Sequence, residues 1–153
     1  MTVEYLYLQT ESFDYKEIDM PVTVEQVGDE PIILVTVKGH LDVEIAKDTY
    51  RRVAEIADTI EGKIIRITDV REQETTFPEM IEIVKKAAGT GMAGSASDKR
   101  IMNVFVGRDA MARVARDLMS NEQHGGVQMP MFHTMEDAMQ FARMEIARQK
   151  SAE

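Results

Sequence analysis

The sequence predicts an α/β fold: a single-layer mixed β-sheet of about five strands with four helices, plus an extra strand or arm at the N-terminus. Three observations carry this. The runs IILVTV at 32–37, IIRIT at 64–68 and IMNVFV at 101–106 are near-continuous and apolar, as strands buried on both faces should be. A helical apolar stripe follows each run, the alternation of a parallel sheet. The segment VTVEQV at 22–27 is joined to 32–37 by the turn residues GDEP, so the sheet begins with an antiparallel hairpin.

Residues 1–21 form an N-terminal extension. Val3, Tyr5 and Tyr7 alternate with Leu6 and Leu8, and three of the four tyrosines lie here with Phe13. An edge strand covering part of the core is one reading; a contact surface for a second subunit, making a homodimer, is the other. The α/β domain spans 22–147. After the hairpin, Gly39-His40-Leu41-Asp42 ends a strand, and Asp42 suits the N-cap of a helix whose apolar face holds Ala46, Tyr50, Val53, Ala54, Ala57 and Ile60. Gly62 closes that helix.

The strand at 64–68 runs through a polar connection into a helix at about 77–88. Thr76 is its N-cap, Glu79 completes a capping box, and Pro78 is tolerated in the first turn. Its stripe is Phe77, Met80, Ile81, Val84 and Ala88. Residues 89–100 (GTGMAGSASDKR) read as a mobile loop, linker or lid. Gly89, Gly91 and Gly94 spell G-x-G-x-x-G, but a helix precedes and a strand follows, the reverse of a dinucleotide site. A third helix is expected over about 109–122, with Met111, Val114, Ala115, Leu118 and Met119 as its stripe and Asp109 at its start. Residues 127–133 read as a last strand, placed at a sheet edge by Pro130. Thr134 caps a final helix striped by Met135, Ala138, Met139, Ala142 and Ile146, and 148–153 read as a frayed tail.

Composition narrows the function. The chain has 153 residues and is 44% hydrophobic, which suits one globular domain. Its formal charge of −9 disfavours nucleic acid and anionic membrane surfaces as partners. There is no cysteine, hence no disulfide, thiol nucleophile or thiolate metal site. No signal peptide and no membrane span is read, so a cytoplasmic protein is the default.

No catalytic set emerges. His40, His124 and His133 form no metal-ligand spacing, no G-x-S-x-G elbow occurs, and no cofactor motif survives. Acid pairs such as Glu72 with Glu74 read as a solvated surface. Met111, Met129, Met131 and Met139 have two readings: core filling, or the wall of a plastic ligand pocket with Met129 and Met131 at its mouth. The 63–79 stretch is where a site is expected, since a strand's carboxyl end there faces a helix start. A phosphate on Thr76 would meet the free N–H groups of that helix start, and also the repulsion of Glu72, Glu74 and Glu79.

The element order and three motifs resemble the STAS family, the anti-sigma-factor-antagonist-like domains. VKGHLD at 37–42 resembles the family's strand ending in Gly-x-Leu-Asp. IIRITDV at 64–70 with Glu74, Thr75 and Thr76 occupies the place of its buried strand and Asp-Ser-Ser phosphorylation motif. IMNVFV at 101–106, a helix, then MFHTMEDA at 131–138 resemble its closing strand, helix, strand and helix start. The resemblance covers about 22–147. It implies Thr76 and Thr75 as phospho-acceptor positions and Glu74 as their acidic neighbour. Phe77 and Pro78 depart from the small residues that follow the family's serine pair, and Arg66 stands where the family tends to place an acid.

Two functions are then expected. One is a non-enzymatic regulatory domain that meets a partner protein, a kinase or an anti-sigma-type protein, through Asp42, Glu74, Glu79 and the 74–76 loop. The other is a binder of a small apolar or lipid-like ligand, in a methionine-lined pocket under the 89–100 loop.

Overall fold

The structure is a computed structural model that describes residues 21–108, 110–120 and 129–152. The N-terminal extension up to residue 20, Asp109 and His124 lie outside the described residues. The chain runs β1 (Val22–Gln26), β2 (Ile32–Gly39), α1 (Val43–Ala57), β3 (Ile64–Gln73), α2 (Phe77–Ile83), a π-helical turn (Val84–Ala88), β4 (Ile101–Val106), α3 (Ala110–Ser120), β5 (Met131–Phe132) and α4 (Met135–Ser151). The five strands form one sheet in the order β1-β2-β3-β4-β5. β1 and β2 are antiparallel and every other neighbouring pair is parallel. The expected mixed sheet with an antiparallel start is therefore present.

Alternation along the strands sorts side chains between two faces. On one face Ile33, Val35, Val37, Ile64 and Ile101 meet Val53 and Ala57 of α1. On the other Ile32, Ile65, Ile67, Val104 and Val106 meet Ala138 and Ala142 of α4. Asp42 caps α1, its Oδ1 accepting from Ile45 N at 2.8 Å. Thr134 caps α4. α1 ends at Ala57, and Gly62 takes a left-handed φ of 82° only after a further turn, so the helix is shorter than its glycine suggested. α4 runs through Ser151, past the expected fray at Arg148, with Arg148 paired to Glu145 and Ser151 Oγ donating to Ala147 O.

Two departures shape the site. β3 is ten residues long, twice the expected run, and slips by one residue against β2 between Thr36 and Lys38. Such a bulge reverses the alternation beyond it. The second departure is the 89–100 segment, which is tied down rather than mobile. Asp98 Oδ2 accepts from Gly94 N at 2.8 Å, Ser97 Oγ donates to Ala88 O at 3.1 Å, and Arg100 bridges Asp98 and Asp58. Gly94 backs onto α1 so closely that a Cβ there would fall 2.0 Å from Tyr50 O, and its φ is +80°. Only glycine fits that contact.

Candidate functional site

A cavity of about 140 Å³ lies on the α1 face, between β2, β3 and β4 below and α1, α2 and the π-helical turn above. Its floor includes Val35, Val37, Thr68 and Phe105; its roof includes Ala46, Tyr50, Met80, Ile83 and Val84. Ala88 from the π-helical turn and Ala96 from the 89–100 segment close one side. Alanine at 46, 88 and 96 leaves space where longer side chains would meet. The three sit on different elements and pack in one cluster with Ile83, Val84 and Met129 around the space.

The bulge decides which polar groups reach this cavity. Arg66 and Thr68 face it from before the slip; Gln73 faces it from beyond, on the opposite parity, and Thr75 from the loop that follows β3. Thr75 is 8% exposed, and its Oγ1 accepts from Leu41 N at 3.1 Å. Its own N–H is held by Gln73 Oε1 at 2.8 Å.

Arg66 is the one charged side chain of the described lining. It is 4% exposed, and the β3–β4 register sets it directly beside Asn103. Asn103 Oδ1 accepts from Arg66 Nε at 3.0 Å and Nη2 at 2.6 Å, and Gly94 O accepts from Nη1. Asn103 Nδ2 in turn donates to Ala96 O at 2.7 Å. The guanidinium carbon lies 5.8 Å from the Tyr50 ring centroid, a cation–π distance. Burial pushes the Arg66 guanidinium down, with Tyr50 and Asp98 pulling it back up. Burial pushes the Tyr50 phenol up, against the pull of the Arg66 charge. Neither Arg66 nor Asn103 was picked out as a site residue from the sequence. The signal was available: one arginine inside IIRIT, at the parity of the α1 face.

The sequence candidates divide. Met129 lines the cavity and is 5% exposed. Met131 is half-buried on β5 and is not among the lining residues. Met139 packs on the opposite face with the α4 cluster, because it lies one helical turn after Met135 on the side that meets Ala138 and Ala142. The side chain of Met111 lies outside the described residues. The methionine of the roof is Met80, expected only as a stripe residue of α2. Among the described residues the wall is thus mostly aliphatic, with Met80 and Met129 as its methionines.

The surface candidates come together at the carboxyl end of the sheet. Glu74 N donates to Gly39 O at 2.7 Å, which sets Asp42 and Glu74 on adjoining loops. Thr76 caps α2: its Oγ1 donates to Glu79 Oε1 at 2.6 Å and accepts from Glu79 N at 3.4 Å. The hydrogen bonds from Thr76 hold the Glu79 carboxyl below its ordinary range. Of the two threonines only Thr76 stands at the surface, followed by Phe77, which is 45% exposed and not part of the buried stripe. The buried stripe begins one turn later, at Met80. Among the described residues no group of histidine and carboxylate side chains is placed to hold a metal ion, and no helix is long and apolar enough to cross a membrane.

No family model and no curated protein matches the chain. Among solved structures it is similar to an uncharacterized protein of the DUF3478 family with a SpoIIAA-like fold from Shewanella loihica PV-4. That match has a TM-score of 0.54 and 14% identity, over 79% of this chain and 91% of that one. An anti-sigma factor antagonist from Mycobacterium paratuberculosis aligns with a TM-score of 0.48 and 16% identity, over 82% of this chain and 97% of that one. The fold is STAS-like.

Proposed function

We propose that the chain is a non-enzymatic binding domain whose working part is the cavity under the 89–100 segment, and that it holds a small apolar or amphipathic molecule there. The cavity itself carries this reading. A space of about 140 Å³ walled by Val35, Val37, Ile83 and Val84 offers burial to an apolar body. An apolar cavity of about 150 Å³ is known to take a benzene-sized guest. The π-helical turn at the cavity wall supports the reading, since such turns gather at functional positions.

The test uses the purified full chain and two readouts. Native mass spectrometry is expected to show an added mass that denaturing spectra lack. Thermal unfolding with toluene as probe is expected to move upward, and to move less in Ala88→Leu, which extends a side chain into the space. A bare native spectrum together with no toluene shift in the parent chain would remove the reading.

A second reading has its own observation: the hydrogen bonds from Leu41 N to Thr75 and from Glu74 N to Gly39 unite the 39–42 and 74–76 loops into one exposed edge. That edge carries Asp42, Glu74 and Thr76, and it would meet a partner protein, with phosphate on Thr76 as the switch. A phosphate mass retained on denaturation and mapped to Thr76 supports it. Unchanged partner capture by Thr76→Ala would count against the switch.

A further inference from the structure

We propose that the cavity is selective for a small monocarboxylate, with the carboxylate on Arg66 and an apolar body of benzene size among the aliphatic walls. This rests on the cavity reading above and names the chemical class of its ligand.

The argument begins with an unbalanced charge. Arg66 is buried, yet its hydrogen-bond partners among the described residues, Asn103 Oδ1 and Gly94 O, are neutral. Taking an ion out of water is costly, and neutral dipoles return only part of that cost. The carboxylate whose charge acts on Arg66 is Asp98, and its oxygens are already engaged by Arg100 and by Gly94 N. A guanidinium carries five N–H donors. Three are used within the described residues, so two remain for an acceptor in the cavity that Arg66 lines.

Three features then select the ligand. The planar fork of a guanidinium matches the two oxygens of a carboxylate. Arg66 is the one charge of the described lining, which balances a monoanion; a dianionic phosphate would bring a second charge with no cation to meet it. The space of about 140 Å³ limits the body to roughly six to nine non-hydrogen atoms. Asn103 holds the guanidinium by two of its donors, so the fork is oriented before the ligand arrives, which lowers the ordering cost of binding.

The test is a calorimetric titration of the full chain with benzoate, with its neutral isostere benzamide, and with acetate as a small-anion control at constant ionic strength. Benzoate is expected to bind at least ten-fold more tightly than benzamide, and acetate to give no saturable signal. Ala88→Leu leaves Arg66 untouched and is expected to weaken benzoate at least ten-fold. Arg66→Met is expected to abolish the preference for benzoate over benzamide. Should that variant fail to fold, the isostere pair and Ala88→Leu still decide the matter. Equal binding of benzoate and benzamide would overturn the carboxylate assignment and leave the cavity reading in place. Benzoate binding unchanged by Ala88→Leu would place the anion outside the cavity and overturn the proposal. Failure of benzoate, benzamide and toluene alike would overturn both.

Discussion

On the α4 side of the sheet, Ile65, Ile67 and Val104 are each 1% exposed or less, and they meet Ala138 and Ala142, both wholly buried. On the α1 side the same strands present Arg66, Thr68 and Asn103 to a cavity of about 140 Å³. Both faces use alanine, and the difference lies in how. On α4 the two alanines fall four residues apart on one helix, so the helix settles directly onto large β-branched side chains. On the cavity side Ala46, Ala88 and Ala96 come from a helix, a π-helical turn and a loop, each fixed by separate hydrogen bonds. One helix can slide to close a gap; three independently anchored elements cannot. A sheet face thus keeps a space when its cover is assembled from pieces.

The sharpest way to break this comparison is to change volume on each face in turn. Ile67→Ala on the solid face is expected to cost about 4 kcal/mol, because it makes a cavity in a packed cluster. Ile83→Ala borders an existing cavity and loses fewer contacts, so about 2 kcal/mol is expected. Enlargement should keep the same ranking: Ala142→Leu is expected to cost about 2 kcal/mol, and Ala88→Leu less than about 1 kcal/mol. Urea unfolding of the four variants gives the values. Equal losses from the two alanine truncations would end the distinction between the faces.

How much of this was legible follows from the kind of signal. The strand runs at 32–37 and 101–106, the caps Asp42, Thr76 and Thr134, and the edge position of the last strand were readable because each rests on local spacing. The STAS resemblance agreed with the fold because it too is a matter of element order. A pocket under the 89–100 segment was among the expectations, but the polar part of its lining was hidden for two reasons. The slip between β2 and β3 is set by pairing, not by the sequence of either strand, and it goes with Gln73 facing the cavity at a parity opposite to Arg66 and Thr68. The anchoring of 89–100 depends on Gly94 packing against Tyr50, a contact between distant residues that composition read as mobility. Arg66 was noticed only as a departure from a family pattern; its burial beside Asn103 needed the β3–β4 register.

A middle-sized effect probes the lock on the cavity side. Burial pushes the Asp98 carboxyl up, but the Arg100 side chain and the N–H groups of Gly94 and Arg100 outweigh it and hold it down at about 2, against an ordinary 3.8. A carboxyl held low stabilises the fold at any pH above its ordinary value. That contribution, about 2 kcal/mol, fades as pH falls from about 4 to about 2. Asp98→Asn should therefore lose about 2 kcal/mol at pH 7 and show a flatter stability curve over that acid window. The α4 face has no such group in its buried cluster, so hydrogen exchange of β4 amides next to Ala96 should rise in the variant while α4 amides keep their protection. A uniform rise across both faces would show that the loop is no separate lock.

The most local expected effect is at the roof. Thr76 begins α2 with a capping box, satisfying one N–H of the helix start and receiving Glu79 in return. Thr76→Ala removes both exchanges and is expected to cost about 1 kcal/mol. That loss should appear mainly as faster local opening of α2 and the π-helical turn, because Met80, Ile83 and Val84 hang over the cavity from that segment. Thr134→Ala is the matched control: the same cap chemistry on α4, with Thr134 Oγ1 accepting from Asp137 N at 3.1 Å, but beneath a solid cluster. The two variants should lose similar global stability, whereas only Thr76→Ala should quicken exchange of toluene into and out of the cavity. If Thr134→Ala quickened it equally, ligand access would run through global loosening rather than through the roof, and the two faces would be one cooperative unit despite their different packing.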